Sequence, residues 1–345
     1  MTRRLELSGG QILAYRRKVQ ALDERRPPGP DSLRRAAWAG LQDSVPRSAL
    51  HSLHARVEGV AVDALDDPAL AQVWGPRYTA YVVPASDHVA FTLGRLPERG
   101  TARRRAQELA ARLHAHLDGR KLPYGEAGRA LGVQPNSLRY ASLTGTLLIR
   151  WEGAGQPVIW TVPRPQIDPL EARMELVRRF LHVYGPSTPE AFARWAGIGL
   201  PEATVAFDAL GHSLLAVRTP SGEADILAAD EPAFRAPPSR PAAARLLPSG
   251  DPYFLLQGAD RELLVPQAER RALLWTPRVW PGAVLVEGEI VGTWRRDSAT
   301  VTIQPWMRVS PEQRQAIEQE ARCLPLPGVQ GPIVTRWTSG HSALH

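Results

Sequence analysis

Over residues 30–57 the apolar positions recur twice at helical spacing, with a break between the two runs. Leu33, Ala36, Ala37 and Leu41 mark a first helix, and Asp31 stands where it could cap it. Leu50, Leu53 and Val57 mark a second helix that starts near Ser48. Ser44, Val45 and Pro46 separate them: proline has no amide to donate and biases the residue before it away from helical angles. Two short helices around a tight turn predict a helix-turn-helix. The polar triplet Gln42-Asp43-Ser44 falls at its junction, held between two rigid elements.

The pattern before and after supplies a first winged-helix unit over 1–98. Ser8 is placed to cap a helix running to about Leu22, and the run Arg-Arg-Pro-Pro-Gly-Pro breaks the chain after it. Asp67-Pro68 predicts a short helix to Val73, 78–83 a strand closed by Pro84, and Ser86 the cap of a helix to about Leu96. A second unit over 99–165 begins with a long amphipathic helix, 101–117, with Leu109, Leu113 and Leu117 on one stripe. Arg103, Arg104 and Arg105 crowd its first turn, against the helix dipole. Short helices at 125–131 and 135–140 precede two strands, 147–151 and 157–162, around a Gly-rich tip, the shape of a wing. The order helix, helix-turn-helix and hairpin recurs over 166–230, where Ser187-Thr188-Pro189-Glu190 reads as a capping box.

Residues 231–245 read as a Pro/Ala-rich linker. Beyond them the texture is β: strands are expected at 253–256, 271–275, 283–286, 290–295 and 300–304, with a closing helix at 310–321 and a loose tail over 338–345. The predicted fold class is therefore α+β: three tandem winged-helix units followed by a small C-terminal antiparallel β-barrel at 246–345.

Composition narrows the function without naming it. No apolar run approaches the roughly 18 residues of a membrane span, and the basic N-terminus leads into no apolar core. The lone Cys323 excludes an internal disulfide framework and fits a reducing cytoplasm. Net charge is +7, the bases being arginine except for Lys18 and Lys121. Guanidinium binds phosphate in a fork, so the charge fits a nucleic-acid partner. A GC-rich genome would enrich arginine as well, so charge alone does not decide.

No phosphate loop, dinucleotide fingerprint, zinc-binding cysteine pair or Gly-x-Ser-x-Gly elbow is present. His51 and His54 share a helix face without a nearby carboxylate, a weak start for a metal site. A basic chain of repeated helix-turn-helix units with hairpins predicts a protein that binds double-stranded DNA without metal or cofactor.

The segment Gly40-Leu-Gln-Asp-Ser-Val-Pro-Arg-Ser-Ala-Leu, followed by Leu53-His-Ala-Arg56, resembles the core motif of the AlkZ/YcaQ-type winged-helix DNA glycosylases. Leu246-Leu-Pro-Ser-Gly-Asp251-Pro-Tyr-Phe254 resembles their entry into the C-terminal barrel, and 286–295 resembles the barrel hairpin. The resemblance implies three winged-helix units and a barrel around a DNA channel. It also implies cleavage of the N-glycosidic bond of N7- or N3-alkylated and crosslinked purines. The family motif is Gln, hydrophobic, then Gln or Asp. Here Gln42 holds the first position, but Asp43 takes the hydrophobic one and Ser44 the third.

Gln42, with Ser44 or Asp43 as substitute partner, is the expected catalytic set. Arg47, Arg56, Arg295 and Arg296 are the expected DNA contacts. The same residues allow plainer roles: Asp43 and Ser44 could cap the helix after Pro46, and Arg56 could be structural. A non-catalytic DNA-binding regulator or damage sensor is the alternative. A monomer, in the cytoplasm and associated with the nucleoid, is expected.

Overall fold

The computed structural model describes residues 5–45, 47–153 and 155–338. The helices whose sequence signals were strongest form as expected. Ser8 accepts from the Gln11 amide while the Gln11 side chain reaches back, a capping box that opens the Gly9–Val19 helix. Thr188 caps the Pro189–Ala196 helix and Ser310 the Pro311–Arg322 helix, both with proline in the first turn. The 17-residue Thr101–Leu117 helix buries Ala106, Leu109, Ala110, Leu113 and Leu117 along one stripe.

The strands tie the expected units to one another. The first sheet has six strands in the spatial order Leu41–Gln42, Ala80–Pro84, Leu70–Trp74, Leu147–Arg150, Val158–Thr161 and Leu122–Pro123. Gln72 pairs with Ile149, so this sheet runs across the boundary expected at 98. The N-terminal strand Leu5–Glu6 lies parallel to Leu214–Thr219 and completes the hairpin sheet of the third region. One core cluster draws Leu22, Val73, Phe91, Leu176, Phe254 and Leu285 from the first, third and C-terminal regions, and a second gathers Leu109, Leu113, Leu138 and Ile159 of the region between.

Several expectations are corrected. The first helix of the expected helix-turn-helix is Pro30–Ala36 and stops short of Leu41; Gly29 is at its N-cap and Asp31 lies in its first turn. Gly40, at φ +80°, turns the chain so that Leu41 and Gln42 pair as a strand with Val82 and Tyr81. Residues 70–74 form a strand where a helix was expected, because pairing with Ala80–Pro84 overrides a weak local preference. Residues 253–256 form no strand, and 271–275 fall largely in the Ala268–Leu274 helix, a short apolar run of the kind whose period is ambiguous.

The C-terminal region is an open five-stranded sheet among the described residues, not a closed barrel. Its order is Arg245–Leu247, Gly282–Val286, Glu289–Asp297, Thr300–Pro305 and Val334–Trp337. The last strand runs parallel to its neighbour, so the sheet is not wholly antiparallel and its outer strands do not meet. The Pro311–Arg322 helix covers this sheet through Ile317 and Ala321. The expected linker contains a short helix, Glu231–Arg235, whose Phe234 stacks on Tyr15 with ring centroids 3.6 Å apart. Of the expected tail, Thr338 still bonds Ile303, and 339–345 lie outside the described residues.

Candidate active site

The strand Leu41–Gln42 sets the direction of each side chain in the triplet, because neighbouring residues of an extended chain face opposite ways. Asp43 turns inward and is 1% exposed. One carboxylate oxygen accepts from the Ala49 amide in the first turn of the Ser48–Arg56 helix, at 3.0 Å, and the other from Gln72 Nε2 at 2.8 Å. Gln72 in turn accepts from the Trp151 amide at 2.6 Å. Asp43 therefore ties the helix to the shared sheet. Burial pushes its carboxyl up to about 7, against the lowering effect of the Ala49 amide, Arg47 and Gln72.

Ser44 is exposed and Gln42 is partly buried. Gln42 Nε2 donates to Ser44 Oγ at 2.5 Å, while the main-chain carbonyl of Gln42 accepts from Ser48 Oγ at 2.8 Å. The side-chain oxygen of Gln42 is buried with no protein partner. Such an acceptor is costly to leave unmet, so it stands ready for a ligand or an ordered water.

A loop from the C-terminal region closes over this strand. The turn Pro248-Ser249-Gly250-Asp251 is fixed by the Asp251 amide donating to the Pro248 carbonyl at 3.1 Å. Gly250 lies at φ +76°, and a β-carbon there would come within 3.3 Å of Gln42 Cδ. Glycine is needed both for the backbone angle and for the close approach. Asp251 is fully buried and pairs with Arg56 in a two-pronged bridge, at 2.7 and 2.8 Å. It also accepts from Ser52 Oγ at 2.7 Å.

Arg56 was expected at DNA. It is 1% exposed and gives its donors to Asp251, Gln20 and the Ser52 carbonyl, so it holds the C-terminal loop to the helix and does not reach a phosphate. Arg47 is partly buried at φ +63° just before the helix. Arg295 and Arg296 are exposed in the last residues of Glu289–Asp297, beside the turn to Thr300–Pro305. Arg295 donates to the Val279 carbonyl and Arg296 to that of Ser298, and each keeps further donors toward solvent.

Among the described residues no three His, Cys, Asp or Glu side chains stand together as a metal site would require. Burial lowers His51 to about 4, helped by Arg296, and His54 to about 3, helped by Arg25. His51 lies edge-on to Trp294, and Arg25 links the His54 carbonyl to Glu320 of the C-terminal helix.

Sequence reasoning missed Gln72 and Gly250. Gly250 had a signal, its place in a Pro-Ser-Gly-Asp turn; Gln72 had none, because it sits in a stretch that reads as helix. No helix among the described residues is long and apolar enough to cross a membrane.

The interstrand DNA cross-link repair glycosylase of Streptomyces sahachiroi is 25% identical over 361 aligned residues, spanning 92% of this chain and 95% of that protein. The solved structure of Streptomyces sahachiroi DNA glycosylase AlkZ matches 97% of this chain and all of its own, with a TM-score of 0.79 and 21% identity, a likeness of fold. The family model for AlkZ-like DNA glycosylases matches residues 35–324, and this chain belongs to that family.

Proposed function

We propose that this glycosylase hydrolyses the N-glycosidic bond of N7- or N3-alkylated purines in duplex DNA, crosslinked purines included, with Gln42 facing the sugar. The unmet side-chain oxygen of Gln42 carries this reading. An alkylated purine already bears positive charge, so it departs without strong acid catalysis. As the bond breaks, the charge moves to the sugar, where a fixed carbonyl dipole stabilises it and orients the attacking water. The Ser44 hydroxyl holds the amide in that orientation. Water adds to C1′, the electron pair of the broken bond stays on the base nitrogen, and a proton leaves to solvent.

Asp43, which occupies the family's hydrophobic position, acts in this reading through position: it anchors the helix behind the strand and does not touch the substrate. Arg47, Arg295 and Arg296 contact phosphates. The substrate of the Streptomyces relative, an interstrand crosslink, supports the extension to crosslinks.

The test is release of free base from a duplex carrying N7-methylguanine. Gln42→Ala should lower single-turnover release by about 100-fold, the scale of losing one group that stabilises developing charge, with duplex binding kept. Asp43→Asn should lower stability more than release. Equal release from wild type and Gln42→Ala would remove Gln42 from the chemistry. Binding without release, across a panel of damaged bases, would make the chain a damage sensor.

A further inference from the structure

Ser44 also lines a cavity of about 250 Å³ beside the shared sheet. Its walls include Trp74, Tyr78, Tyr124 and Trp151, and Arg139 reaches into it. Trp74 and Tyr124 are 6.0 Å apart and inclined at 58°, so they make two walls of a wedge and not a packed stack.

Three features set this cavity apart from an ordinary gap. The Arg139 Nε is buried and has no hydrogen-bond partner, although its guanidinium lies 5.8 Å from the Trp74 ring centre. Among the described residues no carboxylate pairs with Arg139, and its one hydrogen bond is a long one, 3.5 Å to the Tyr78 carbonyl. Arg77 and Tyr78 both stand at positive φ, +55° and +59°, at the tip between two strands. That conformation is costly for a non-glycine residue, most of all for a bulky one, and such cost collects at functional positions.

We propose that this cavity receives the departing purine, a flat heteroaromatic base with an acceptor edge. Aromatic walls suit any base face, and the unmet Arg139 donor suits a ring carbonyl or ring nitrogen. The proposal rests on the glycosylase reading above and gives it polarity. A cation beside the base is unfavourable to the charged, alkylated base of the ground state. It is tolerated once the bond breaks and the electron pair neutralises the base. Gln42 offers an oxygen where positive charge appears, and Arg139 offers a cation where positive charge disappears. Both favour the transition state over bound substrate. Ser44 borders the two, bonded to Gln42 and lining the cavity.

Free 7-methylguanine is the probe, titrated into the full chain and followed by tryptophan fluorescence and calorimetry. Wild type should bind it. Tyr124→Ala should weaken binding by about fivefold or more, the lower end of a lost base-stacking contact, and Arg139→Met should weaken it comparably. Arg139→Met should also slow single-turnover release from the N7-methylguanine duplex while duplex affinity stays within about twofold. Arg139→Lys, which keeps the charge, should recover part of the rate. Binding unchanged in both cavity variants, with each still folded by circular dichroism, would overturn the proposal. A wild type that binds free base but releases none from DNA would sink the glycosylase reading and leave the cavity assignment standing. Release that needs Gln42 but ignores Arg139 and Tyr124 would do the reverse.

Discussion

Two helices of this protein carry polar residues in opposite ways. Every residue of Ser48–Arg56 is buried, including Ser52, His51, His54 and Arg56. Thr101–Leu117 buries one apolar stripe and leaves Arg104 and Arg105 at the surface. In the first helix the larger polar groups are answered from other elements: Arg56 by Asp251, Ser52 by Asp251, the His54 carbonyl by Arg25. In the second, Arg103 folds back on the Pro97 carbonyl just before the helix, and Arg105 lies over the Tyr140 ring of the same region. The difference teaches where rigidity is concentrated. The helix behind Gln42 is a buried strut between the first region and the C-terminal loop, and the long helix is a solvated wall.

The sharpest way to break the contrast is to remove one partner of the strut. Arg56→Ala leaves the Asp251 carboxylate buried without its guanidinium and should cost about 3–5 kcal/mol. Urea unfolding monitored by circular dichroism reads it. A loss near that of a surface arginine would mean that water or another base replaces Arg56, and the strut would not be a strut.

Acid should act on the same helix next. His51 and His54 are neutral in the folded protein, with pKa near 4 and 3 against 6.5 when free. As pH falls below 6.5 the unfolded chain takes protons that the folded one refuses. Each histidine then removes on the order of 1.4 kcal/mol per pH unit, down to its folded pKa. Asp43 opposes them: its folded pKa near 7 lies above 3.8, so the folded state binds the extra proton and gains as pH falls between those values. Two losses against one gain leave a net decline from pH 6.5 to 4. His54→Gln should flatten the slope of stability against pH in that window; an unchanged slope would show that His54 is protonated in the fold.

Gly250→Ala bears on the strut's contact with the strand that carries Gln42. The added carbon meets a positive φ and the Gln42 side chain 3.3 Å away, so stability should fall by about 1–2 kcal/mol. Base release should fall by about tenfold more than occupancy of the folded state explains, through displaced geometry. Loss of stability with a normal rate per folded molecule would separate the turn from the chemistry.

The two helices also differ in how they could be read. The stripe of Thr101–Leu117 was legible because half of the helix faces water, and period 3.6 then separates polar from apolar. The Ser48 helix was legible from Pro46, from Ser48 and from the spacing of Leu50, Leu53 and Val57, but that spacing does not show that its polar faces are buried as well. The partners of His54 and Arg56 come from remote stretches, Arg25, Gln20, Asp251 and Glu320, which local spacing does not reveal. Gln42 was found by motif and read as lying at a helix end. Its place on a strand depends on pairing with Tyr81, 39 positions on, which local spacing does not encode. Likewise the closing sheet was expected to wrap into a barrel, because alternation fixes which residues face inward and says nothing of whether the outer strands meet. The inward turn of Asp43 follows from strand alternation once the strand is known, and it explains how a carboxylate sits in a position the family fills with a hydrophobic residue: Gln72 and the Ala49 amide supply its partners.

The smallest effect belongs to the wall. Arg104 is exposed in the first turn of Thr101–Leu117, where the helix dipole disfavours a cation and where Gly100 offers no side-chain cap. Arg104→Glu should raise stability by about 0.3–1 kcal/mol at low salt, an effect that fades as salt rises. Duplex binding measured on the same protein decides why the arginine is there. If affinity and its dependence on salt are unchanged, the turn is a solvated face that tolerates a poor local charge. If affinity falls and the salt slope drops by about one counterion, the cation stands against the dipole because a phosphate stands against the cation, and the wall belongs to the DNA channel.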